Sequence, residues 1–157
     1  MMGKIISYDP VYKQAFYDIT MAWLARDFTV EPQHTAMLTD PEGELLEGGG
    51  DVFFAIEKGR AVGTVGLKAH GKGVFELTKL GVDPAAQGGG YGCQLCEAVI
   101  ESFKKKGGKR LFLESHTMLK PAIALYEKLN FRIAENPKGE TYLCTNCYME
   151  WQGKPDA

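Results

Sequence analysis

The sequence predicts an α/β fold of the α+β kind, in which a mixed sheet is flanked by helices. Three strand-like runs follow one another between Val52 and Val82 with only short turns between them, as in an antiparallel meander. Helical and strand patterns alternate only in the second half of the chain, which excludes a doubly wound parallel sheet. A length of 157 residues suits one globular domain over 1–157, with no room for a second catalytic unit.

Each element has its own signal. Asp9-Pro10 resembles a capped helix start, and Tyr12, Phe16, Ile19 and Trp23 then recur at helical spacing, so an amphipathic helix is predicted over about 10–25. Thr29 to Gly50 is polar, with Pro32, Pro41 and the Gly48-Gly49-Gly50 run, and reads as a loop with one short helix around His34 to Leu38. Val52–Glu57 and Ala61–Lys68 read as strands joined at Lys58-Gly59-Arg60, and Val74–Val82 as a third. Tyr91, Leu95, Val99 and Phe103 place a helix from near Gly90 to Lys106, stopped by Gly107-Gly108. Lys104, Lys105 and Lys106 in its last turn complement the negative end of the helix dipole. Arg110–Ser115 is a strand, Pro121–Leu129 a helix, and Phe131–Ala134 with Tyr142–Trp151 a closing strand pair.

Composition narrows the function classes. Apolar residues make up 45% and charged residues 24%, both ordinary for a globular fold. With 18 basic and 20 acidic residues the net charge is −2, so there is no electrostatic footprint for nucleic acid. No run approaches the roughly 18 apolar residues that span a bilayer, and Met1 to Asp9 does not read as a signal peptide, so a cytoplasmic protein without a membrane partner is expected. Cys93-x-x-Cys96 and Cys144-x-x-Cys147 have zinc-like spacing, but the first pair lies in a helical pattern and the second in a strand, where a spacing of three sends the side chains to opposite faces. No metal site is expected.

Glycine is the compositional outlier, at 19 residues. Gly66 to Lys72 has most of a P-loop spacing, but Gly73 replaces the hydroxyl residue and a strand follows, so the segment reads as a hairpin turn. The dinucleotide fingerprint fails too, with Cys93 in the last glycine position. Gln87-Gly88-Gly89-Gly90-Tyr91-Gly92 differs, because it joins a strand directly to a helix start. There the first amides lack internal acceptors, the dipole adds positive charge, and glycine lets a bulky anion approach the backbone. Each glycine in a helical turn is destabilising by about 0.5–1 kcal/mol relative to alanine, so four in six residues need a reason.

The stretch Phe75 to Gly92, with Gln87, Gly90 and Gly92 meeting the pattern Q/R-x-x-G-x-G/A, resembles the central motif of the GNAT superfamily of acyl-CoA-dependent N-acyltransferases. Leu111-Phe112-Leu113-Glu114 followed by Ala122 to Phe131 looks like that superfamily's second block. The resemblance implies a central, mostly antiparallel sheet of six to seven strands with a splayed strand pair, flanked by three to four helices. It implies acetyl-CoA as co-substrate, with Leu80, Gly81 and Val82 on the strand that pairs with the pantetheine arm and Gln87, Gly88, Gly89, Gly90, Tyr91 and Gly92 around the diphosphate. The thioester would lie where the strands at 74–82 and 110–115 splay, and the amine would arrive from the other side.

Within that frame Tyr126 is the candidate acid, since a phenol can protonate the leaving thiolate. Glu114 and Glu76 are the candidate bases for an alkylammonium acceptor whose pKa lies near 10.4. Glu76 is expected to share a strand face with Thr78 and Leu80, and Glu114 with His116, itself a further candidate base. Leu119 and Lys120 stand where many relatives place an asparagine that touches the cofactor, and Gly89 where relatives often have a basic or amide side chain. Asn130 replaces a common glycine. Two readings follow: an enzyme acetylating a small-molecule or peptide primary amine in a ternary complex, or an acyl-CoA-binding sensor without turnover. A magnesium-dependent nucleotide binder using Gly66 to Gly73 is a third, tested by ATP binding. The acidic residues of Thr29 to Gly50, expected to wall the acceptor site, favour a cationic amine. Many relatives pair through their C-terminal strands, and Tyr142 to Trp151 is apolar enough for a homodimer.

Overall fold

Period-two alternation divides the apolar residues of the central strands between two faces of one sheet, and each face is covered by its own helices. The computed structural model describes residues 3–27, 32–117, 119–137 and 147–153. In chain order these form β1 (Lys4–Ser7), a 3-10 turn (Pro10–Tyr12), α1 (Lys13–Asp27), α2 (Pro32–Thr39), a π-helical turn (Glu42–Leu46), β2 (Asp51–Glu57), β3 (Arg60–Gly71) and β4 (Val74–Val82). A 3-10 turn (Pro84–Ala86), α3 (Tyr91–Lys105), β5 (Arg110–Ser115), α4 (Lys120–Lys128), β6 (Phe131–Ile133) and β7 (Cys147–Trp151) complete them. The sheet order is β1-β2-β3-β4-β5-β7-β6. All neighbours pair antiparallel except β4 with β5.

On one face Val52, Phe54 and Ile56 of β2 pack with Phe16 and Leu24 of α1, Met37 and Leu38 of α2, and Leu45 of the π-helical turn. On the other, Leu95, Val99 and Phe103 of α3 and Tyr126 of α4 pack on Val65, Leu67, Phe75, Leu77, Leu111 and Leu113. Helices approach the sheet where it lacks side chains. A Cβ at Gly63 would lie 3.0 Å from Leu95 Cδ1, and one at Gly66 would lie 3.1 Å from Leu45 Cδ1, from opposite sides.

The meander, the strand Arg110–Ser115 and the helix after it lie where the sequence places them, and Gly66 to Gly73 is the β3–β4 hairpin. Four expectations need correction. β1 was not foreseen: four residues, Lys4-Ile5-Ile6-Ser7, are too few to display a period, and their pairing with Phe53 to Ile56 decides the conformation. The first helix begins as a 3-10 turn, because Asp9 caps Val11 at 3.0 Å, and its α-helical part runs to Asp27. The short helix expected around His34 to Leu38 is α2, but the loop after it holds an unforeseen π-helical turn, closed by Glu47 N–H donating to Glu42 O at 2.9 Å, which seats the fully buried Leu45. β3 extends through His70 and Gly71. Of the predicted strand Tyr142–Trp151, Cys147–Trp151 is β7 and the preceding residues lie outside the described ones. Among the described residues no helix is long and apolar enough to cross a membrane.

Leu95 is fully buried beneath the Gly63 notch. Leu95→Ala is expected to cost about 2–5 kcal/mol of unfolding free energy, measured as a lower denaturant midpoint at unchanged slope.

Candidate functional site

The parallel ladder between β4 and β5 has three residue pairs, Val74 with Arg110, Phe75 with Leu111 and Glu76 with Phe112. Beyond Glu76 the strands part. β4 continues along β3 to Val82, and β5 along β7 to Ser115, so each keeps one partner and presents one bare edge to the gap. A cleft of about 730 Å³ occupies that gap.

β4 is bent within the gap. The β3–β4 register slips between Thr64–Gly81 and Gly66–Thr78, where Lys79 and Leu80 oppose Val65 alone and Lys79 takes φ +57°. The bulge reverses the alternation. Leu80 and Val82 pack with the cluster that contains Phe75 and Leu77, while Thr78 faces Gly66 and Leu45 on the other side. The expected shared face of Glu76, Thr78 and Leu80 is therefore corrected, and the cleft is lined from both faces of the sheet.

The glycine loop follows β4. Asp83 accepts from Ala85 N at 3.0 Å to form a tight turn, and Gln87 Nε2 donates to Val82 O at 3.2 Å. Gly88 has φ +88° and Gly90 φ +85°, a region closed to most side chains, and both have open space where a Cβ would stand. The first bond into α3 is Gln94 N–H to Gly90 O at 3.1 Å. Among the described residues the amides from Gly88 to Cys93 have no protein acceptor. A cluster of free donors at the start of a 15-residue helix, with glycines that leave it uncovered, fits a diphosphate.

The candidate binding residues do not all behave alike. Leu80, Gly81, Val82, Gln87, Gly88, Gly90, Tyr91 and Gly92 line the cleft, and Gly89 does not. The Tyr91 side chain is committed elsewhere: its hydroxyl donates to Glu57 Oε2 at 2.5 Å and accepts from Gly3 N at 3.0 Å, and the Glu57 carboxylate raises its pKa. Leu119 and Lys120 begin α4, with Leu119 as an N-cap lacking a side-chain cap bond, and Asn130 takes the left-handed conformation at φ +77°.

Tyr126, Glu76 and Glu114 also line the cleft, as does His116. Tyr126 is 6% exposed, and its hydroxyl has no hydrogen-bond partner among the described residues. Burial first, and Cys96 second, push its pKa far up, so the phenol stays protonated at neutral pH. Glu76 sits on the last rung before the strands part, 6% exposed. Its Oε1 pairs with His70 Nε2 at 2.9 Å, and its Oε2 has no partner among the described residues. Glu114 Oε1 accepts from Asn136 Nδ2 at 3.0 Å.

Two features escaped the sequence. His70 is the extra residue of a second bulge, between Ala69–Phe75 and Gly71–Val74, and no alternation pattern reveals where such a residue points. The acceptor wall was expected from Thr29 to Gly50, yet none of the described residues 32–50 lines the cleft. Asp18, Ile19, Ala22 and Leu24 of α1 do. The acidic segment is folded on itself and on α1 instead, with Asp40 Oδ1 capping Gly43 N at 3.1 Å and Glu42 paired with Lys13 at 3.1 Å. Cys93, Cys96 and Cys147 are free thiols, Cys144 lies outside the described residues, and among the described residues no three His, Cys, Asp or Glu side chains gather as a metal site would require.

Comparison with known proteins agrees with this geometry. The chain is 38% identical over 95 residues to mycothiol acetyltransferase of Saccharomonospora viridis, covering 54% of this chain and 31% of that protein. It is 33% identical over 101 residues to the uncharacterized N-acetyltransferase YjgM of Escherichia coli, covering 64% of this chain and 53% of that one. The chain thus spans about a third and about half of the length of these relatives. Among solved structures, an acetyltransferase of the GNAT family from Staphylococcus aureus Mu50 superposes with a TM-score of 0.86 at 20% identity, covering 95% of this chain and 98% of that one. yncA from Salmonella typhimurium, solved with its cofactor acetyl-CoA, superposes with a TM-score of 0.73 at 20% identity, covering 100% and 97%. The Acetyltransferase (GNAT) family matches residues 17–131, nearly three quarters of the sequence, and the chain belongs to that family.

Proposed function

We propose that the protein moves an acetyl group from acetyl-CoA to a primary amine by direct attack in a ternary complex. The observation that carries this reading is the row of unpaired amides from Gly88 to Cys93, opening on the same cleft as Tyr126 and Glu76. Main-chain donors there hold the diphosphate without a basic side chain, and the bare edge of β4 at Leu80 to Val82 offers hydrogen bonds to an extended pantetheine arm. Acetyl-CoA supplies the thioester, whose carbonyl carbon takes the amine nitrogen and whose sulfur leaves.

The chain supplies the proton transfers. Glu76 takes a proton from the acceptor ammonium, which frees the lone pair, and its unpartnered Oε2 serves that task. Glu114, already engaged by Asn136, serves less well as a base and adds negative charge that attracts the acceptor. Tyr126 keeps its proton at neutral pH and passes it to the departing thiolate, and the second proton that the nitrogen loses as the amide forms restores the phenol. Asp18, Glu76 and Glu114 line one cleft, which supports a cationic acceptor.

Calorimetry with acetyl-CoA and a panel of amines scored by thiol release test the reading; absence of both heat and turnover overturns it. Tyr126→Phe is expected to lower kcat at least 100-fold while the Kd for acetyl-CoA stays within about twofold. Gly90→Ala forces a Cβ into the left-handed region at about 1–2 kcal/mol. Titration calorimetry should then show acetyl-CoA binding weakened by about 5- to 30-fold.

A further inference from the structure

We infer that His70 is a positioning residue for Glu76, an inference that rests on Glu76 acting as the base. The β3 bulge places His70 out of register, six residues before Glu76 across the hairpin, and its Nε2 lies 2.9 Å from Glu76 Oε1. The ring is held in place: its centroid is 5.3 Å from that of Phe112, which stacks at 5.4 Å on Tyr148. The two partners differ in exposure, with the Glu76 side chain at 8% and His70 at 26%. Glu76 lines the cleft and His70 does not, so the imidazole grips the carboxylate from behind.

The physical consequence follows from the geometry of a carboxylate. A buried one must have a donor, or it is left unsatisfied. A single donor on one oxygen fixes the plane of the group and leaves the second oxygen for chemistry. Nε2–H donating to Oε1 does this here, since no other protein group among the described residues bonds to Glu76. An unheld glutamate side chain would otherwise sample several rotamers, and displacement of a base by about 1 Å can lower a rate by up to about 100-fold. Lys68, directly across from Glu76 in the register, and Lys79, on the wall of the same cleft, are the cations nearest this pair along β3 and β4. Arg110 and Glu150 act on Tyr148, behind Phe112.

Steady-state kinetics with acetyl-CoA and the best amine of the panel test this. His70→Ala is expected to lower kcat by about 10- to 100-fold with both KM values within about twofold. His70→Gln, whose amide reaches the Nε2 position, should restore most of kcat; His70→Asn, too short to reach, should behave like alanine and keeps the test open if alanine fails to fold. In a Glu76→Gln background, His70→Ala should lower kcat no further. Wild-type kcat in His70→Ala beside a crippled Glu76→Gln overturns this inference and leaves the base assignment standing. Loss of kcat in His70→Ala without rescue by glutamine reduces His70 to a structural role and also overturns it. Full turnover in Glu76→Gln removes the base assignment, and this inference with it.

Discussion

The end of backbone pairing between β4 and β5 after Glu76 and Phe112 is the constraint on which the rest of the site depends. A buried peptide group without a partner costs about 1–3 kcal/mol, so a sheet does not open for nothing. The opening is tolerated because each strand keeps a hydrogen-bonded partner on its other side, β4 with β3 and β5 with β7. The gap is thus a seam between two intact half-sheets, and the edges it bares face a cleft in which other groups can bind to them.

Because the seam passes through the sheet, it joins chemistry from both sides. Tyr126 and the glycine loop belong to the layer of α3 and α4, whereas Glu76 and Glu114 alternate with residues buried in that layer and so face away from it. The proposed acid and base thus come from opposite faces of one sheet, and the opened sheet lets both line the same cleft. The bulge at Lys79 adds to this by turning Leu80 and Val82 toward the layer of α3.

Much of this was legible in the sequence because periodicity and glycine placement report directly on burial and backbone conformation. Leu95, Val99 and Phe103 lie on the buried stripe that their spacing implies, and Gly88 and Gly90 take the left-handed conformation that explains their identity. Tyr126, Glu76 and Glu114 meet in one cleft although 50 residues separate the first and second of them. What escaped depends on tertiary context. β1 is a strand because β2 has an edge to fill, the π-helical turn forms because Leu45 needs a core, and bulges at His70 and Lys79 shift register without any mark in the amino-acid pattern.

The tether from Tyr91 to Glu57 and Gly3 has a consequence for how this protein can diverge. It fastens the first turn of α3 to the opposite flank of the sheet, while Gln87 fastens the other end of the glycine loop to Val82, so the main-chain donors between them are already in place before anything binds. A surface made of peptide groups held at both ends is nearly blind to the letters that spell it, provided the left-handed positions remain glycine. Drift can then proceed across most of the exterior and along the α1 wall while the main-chain donors of the glycine loop keep their places.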